Sequence, residues 1–126
     1  MRQRRGIAGI LPGRLLDGWR ALAARLDQIE GAARWDRVPD PPRPTSSLLT
    51  TLGPEDPLIA YYHHLVHDFK SAVHEVDRAA IAAFIDERIE PARHQGVDLT
   101  VCTHDFSRMV SFNHDGDVFV VSPAGT

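Results

Sequence analysis

From Leu15 onward the apolar residues recur as Leu15, Trp19, Leu22, Leu26, Ile29 and Ala33. Steps of three and four place them on one face of a helix, where side chains return every 3.6 residues. Arg14, Asp17, Arg25 and Gln28 fall on the solvated side. Pro12 suits the entry to the first turn and Gly31 weakens the far end. A second run, about Pro57 to Val76, puts Leu58, Ile59, Tyr62, Leu65, Val66, Phe69, Ala72, Val73 and Val76 on one broad helical arc. His63, His67, Lys70 and His74 border that arc, and His64, Asp68 and Glu75 lie on its outer side. A third helix is predicted over about Arg78 to Glu90, with Ile81, Phe84, Ile85 and Ile89 inward, Asp77 as N-cap and Pro91 as the stop.

After Gly96 the period falls to two. Leu99, Val101 and Thr103 alternate with Thr100, Cys102 and His104, as in a half-buried strand. Arg108–His114 and Asp117–Ser122 read as a hairpin around Asp115-Gly116, a dipeptide that accepts the positive φ of a tight turn. A two-residue turn there pairs Phe112 with Phe119 and Val110 with Val121 on one face. Met109, Ser111, Asn113, Val118, Val120 and Ser122 fall on the other. The fold class expected is therefore α+β, three helices followed by a three-stranded antiparallel β-meander. Residues 1–11 read as a mobile basic arm and residues 12–126 as a single domain. Six of the nine prolines mark 38–57 as a connector that neither helix nor central strand survives, and Leu48, Leu49 and Leu52 within it point to contact with the core.

Composition narrows the class. The chain has 126 residues, 43% hydrophobic and 25% charged, the profile of one globular domain. No apolar run reaches the ~18–20 residues of a membrane span. Ile7 to Leu11 is too short for a signal peptide, so cytoplasmic location is the default. A single cysteine, which forms no internal disulfide, fits a reducing compartment. Charge divides unevenly: residues 1–37 hold eight arginines against four acidic side chains, whereas 38–126 hold six basic against thirteen acidic ones. An acidic body repels phosphate backbones and attracts a basic protein, so nucleic acid is disfavoured as a partner.

Two chemistries compete for the polar residues. His63 and His67, one turn apart on the second predicted helix, converge on a divalent metal if His94, His104 or Asp105 supplies a third ligand, which would make a small metal-dependent enzyme. His74 lies about 10 Å further along that axis and cannot join them. The C-terminal groups are split, with His104 and Asp105 at one end of the meander and His114, Asp115 and Asp117 at the other, roughly 20 Å away. His114 and Asp117 are expected to face each other as a clasp beside the turn. Cys102 and His104 share a strand face two positions apart, but no third group is placed to orient the imidazole. Nucleophile-elbow, phosphate-loop, CxxC and HExxH motifs are absent from the sequence. The leading expectation is a non-catalytic interaction module without a cofactor, of the toxin-neutralising or regulatory kind. It would capture a basic protein through Asp105, Met109, Asp117, Val118 and Val120 on a partly apolar sheet face, and the same face or an edge strand could pair two copies into a homodimer.

Overall fold

A computed structural model describes residues 11–64, 69–70, 72–91, 97–113 and 116–121. The expected basic arm lies outside the described residues except for Leu11, which is buried. In chain order the elements are β1 (Arg14–Leu15), α1 (Trp19–Ala32), β2 (Trp35–Arg37), a 3-10 segment (Thr45–Leu52), β3 (Leu58–His64), β4 (Phe69–Lys70), β5 (His74–Val76), α2 (Arg78–Phe84) continuing into a π turn (Ile85–Ile89), β6 (Val97–Cys102), β7 (Met109–Phe112) and β8 (Val118–Val121). All strands join one antiparallel sheet in the order β1-β5-β3-β6-β7-β8-β2, with β4 paired to β3 beyond β5. The expected meander β6-β7-β8 exists, but as the middle of this larger sheet. The fold of three helices followed by three strands is thus corrected.

The decisive difference lies at 57–76, where strands β3 and β5 replace the second predicted helix. Leu58, Ile59, Ala60 and Tyr61 are all at most 2% exposed. Four consecutive buried residues do not fit an amphipathic helix, but they suit a central strand covered on both faces. Alternation supplies the two faces: Leu58 and Ala60 enter one core, Ile59 and Tyr61 the other. The first core lies under α2, the π turn and the 3-10 segment, with Ile81, Phe84, Ile85, Ile89, Leu49 and Leu52 packed on Val101, Val110, Phe112 and Val118. The second lies under α1, whose Leu26 meets Ile59, Tyr61, Val73, Cys102 and Met109.

Helices read from a single apolar stripe are found where expected. Trp19, Leu22, Leu26 and Ile29 line the buried side of α1, although the chain enters it through β1 and Gly18 rather than from Leu15, which is 48% exposed. Gly13 makes that entry possible: its φ is +90°, and a Cβ there would sit 2.3 Å from the Glu75 carbonyl oxygen. Ile81, Phe84, Ile85 and Ile89 are inward as read, and Glu90 N–H donates to Ile85 O at 2.8 Å to close the π turn.

The hairpin register is shifted by one. Phe112 pairs with Val118 and Val110 with Val120, while Ser111 faces Phe119 and Met109 faces Val121. Three positions separate Asn113 from Asp117 where the expected turn has two between His114 and Asp117, and Gly116 has φ 84°. A one-residue shift exchanges faces. Met109 accordingly lies in the α1-side core and Val118 and Val120 in the opposite one.

Candidate functional site

One end of the sheet gathers the polar chemistry. There β6 runs out at Cys102 and the chain turns through 103–108 into β7, beside the 53–57 loop that feeds β3. Asp105 builds the turn. Its Oδ1 accepts from Thr103 Oγ1 at 2.8 Å, Ser107 N–H at 3.0 Å and Ser107 Oγ at 2.8 Å. These donors, led by the Ser107 amide, hold the carboxyl down at about 2. Phe106, at φ 62°, directs its ring into the α1-side core, where the Arg25 guanidinium lies over it.

The facing loop is pinned by Arg78 at the start of α2. Its guanidinium donates Nε–H to Glu55 O at 3.2 Å, Nη1–H to Leu49 O at 2.9 Å, and Nη2–H to Glu55 O at 2.8 Å and to Gly53 O. A cation thereby occupies the carbonyl end of the 3-10 segment, where unpaired acceptors and dipole favour positive charge. Asp56 returns the contact by accepting from Arg78 N–H at 2.8 Å.

Between loop and turn opens a cleft of about 350 Å³, walled by 52–55 on one side and by Thr103, Asp105, Ser107 and Arg108 on the other. At its margin His104 lies between two carboxylates: Nδ1 is 2.7 Å from Glu55 Oε2, and Nε2 is 2.9 Å from Glu75 Oε2. Glu55 Oε2 also accepts from the His104 amide at 2.7 Å, and Glu75 Oε1 accepts from Arg14 Nη2 at 2.8 Å. The hydrogen bond with Glu55 is the main cause of a raised His104 pKa, with Glu75 adding to it against partial desolvation. Glu55 is lowered chiefly by the His104 ring, and Glu75 chiefly by Arg14 and then His104.

The residues anticipated from sequence do not assemble. Asp105 is exposed at this pole, whereas Asp117 lies beyond the far end of β7, so the four residues of that strand, about 14 Å, stand between them. There its carboxylate accepts from Arg37 Nε at 3.4 Å, and its backbone pairs with Asn113. The expected clasp partner His114 is outside the described residues. Met109 and Val118 are 1% and 2% exposed on opposite faces, and Val120 is half-buried, so they form no common docking face. His63 stands in β3, paired through its backbone with Asp98 and Lys70, and not on a helix. His67 and His94 lie outside the described residues. Among the described residues no three His, Cys, Asp or Glu side chains gather to hold a metal. Cys102 points into the core, where burial raises its thiol well above the usual range, and His104 stands beyond the strand end.

Nothing in the sequence pattern marks Glu55, Glu75, Arg14 or Arg78 as site residues. A helical 57–76 puts Glu75 on its outer side, and the proline-rich stretch puts Glu55 within a connector. Only the pairing of β5 with β3, and of β3 with β6, brings them beside residue 104. No helix among the described residues is long and apolar enough to cross a membrane. No family model matches the chain, and no significant match was found among curated proteins or solved structures.

Proposed function

We propose that the chain is a non-catalytic capture module for a basic protein segment, and that the segment engages the acidic pole instead of a sheet face. The observation that carries this reading is the placing of Glu55 and Asp105 on opposite walls of an open cleft, with Arg108 the one cation among the described residues of its lining, at the end of a sheet whose two faces are covered by its own helices. Depressed carboxyl pKa values at Glu55 and Asp105 keep both charged at neutral pH. The negative balance of residues 38–126 adds long-range attraction, which raises encounter rates with cationic partners. Neutralisation of a basic toxin is one form of such capture.

The test is a titration of isotopically labelled protein with hexalysine, followed by amide shifts. The reading expects perturbations concentrated at 53–57 and 103–108, weakening steeply with salt. Shifts spread evenly over the acidic surface, or none at all, would sink it.

A further inference from the structure

We infer that His104 is a proton-operated clasp on the acidic pole. Charged, it ties the carboxylates of Glu55 and Glu75 together; neutral, it releases one of them to a cationic side chain. Ionised carboxylates only accept hydrogen bonds, so an imidazole with each ring nitrogen within 2.9 Å of a carboxylate oxygen needs a proton on both. A neutral ring has one N–H, and its other nitrogen would set a lone pair against a carboxylate. One contact must then open.

The clasp joins three segments: the 53–57 loop, β5 and the 103–108 turn. The charged groups facing the ring are Glu55 from the loop and Glu75 from β5. Arg14 of β1 reaches it through Glu75, and Asp105 is its neighbour in the turn, with Oδ1 committed to three donors. The ring is 42% exposed, so protons exchange freely with solvent. His104 has its pKa raised on folding, so the clasp's contribution is complete below its ordinary value of 6.5 and is lost as pH rises through the higher folded value. At the acid end, Glu55 and Glu75 are lowered from 4.5, and the contribution fades as pH falls through their folded values. Opening at the alkaline end leaves the pole one charge more negative, with one carboxylate freed of the imidazole and held only by its remaining donor, Arg14 for Glu75 or the His104 amide for Glu55.

Only the cationic-ligand half of this inference rests on the capture reading. The experiment follows the imidazole nitrogens of His104 and the amide exchange of Leu15 and Glu75 by NMR from pH 5 to 9. Hexalysine affinity is measured at pH 6 and 8.5 and constant ionic strength, in the wild type and in His104→Gln. Both ring nitrogens should be protonated at pH 6, with a midpoint above 6.5. Affinity should tighten roughly two- to fivefold at pH 8.5, a change absent from His104→Gln. A midpoint at or below 6.5, or bound hexalysine with a pH-independent affinity, overturns the clasp. If hexalysine fails to bind at either pH, the capture reading falls by itself. Exchange at the β1–β5 edge then decides for the clasp if it quickens with His104 titration in the wild type only, and against it if it does not.

Discussion

Arg78 is the residue on which the geometry of the pole depends most directly. Replacing it with methionine keeps most of the aliphatic packing and removes every donor that Arg78 gives to the carbonyls of Leu49, Gly53 and Glu55. Hydrogen bonds from a charged group contribute about 1.5–3 kcal/mol each; since the side chain is only part-buried, a screened value of about 1 kcal/mol per carbonyl gives roughly 3 kcal/mol for the three. At roughly 2.1 cal/mol/K per residue, a chain of 126 residues unfolds with an entropy of about 0.26 kcal/mol/K, so the melting temperature should fall by about 11 °C. Arg78→Lys should recover less than half of this, because an ammonium is a point donor and cannot fork across three acceptors. Thermal melts followed by circular dichroism supply the number, and amide spectra of 49–56 locate the damage. A methionine variant melting within about 3 °C of the wild type would mean that water serves those carbonyls equally well and that Arg78 does not hold the loop.

Two further outcomes follow from the cores. Leu26 is the one side chain of α1 that is fully buried, so Leu26→Ala should cost about 2–5 kcal/mol in urea unfolding with an unchanged slope; a loss below about 1 kcal/mol would show that α1 docks by other contacts. Cys102 is fully enclosed and its thiol is held protonated by burial, so disulfide-exchange reagents should label it only as fast as the protein opens, and rapid labelling of the native chain at pH 8 would contradict that burial.

What the sequence discloses depends on how many faces an element shows to solvent. The helix at Trp19–Ala32 has one wet face, so its period of 3.6 survives in the residues themselves, and the same holds for Ile81 to Ile89. The segment 58–61 has no wet face, and an uninterrupted apolar run fits helix and central strand equally. Its aromatic and β-branched content, next to Pro57, was the available signal for a strand. The hairpin was legible as a hairpin. Its register was not, because Asp115-Gly116 satisfies both a two-residue turn and the end of a three-residue loop. At the pole, Asp105 could be read from the sequence, but the two glutamates that flank His104 come from 49 and 29 residues upstream and meet it only through strand pairing.

Because neighbours along β3 belong to different cores, this strand has no neutral direction in which to drift. Inserting or deleting one residue within 58–61 would exchange the cores of every residue on one side of the change, sending side chains meant for α2 under α1 and the reverse. Sharing this strand, the two helical layers melt as one cooperative unit.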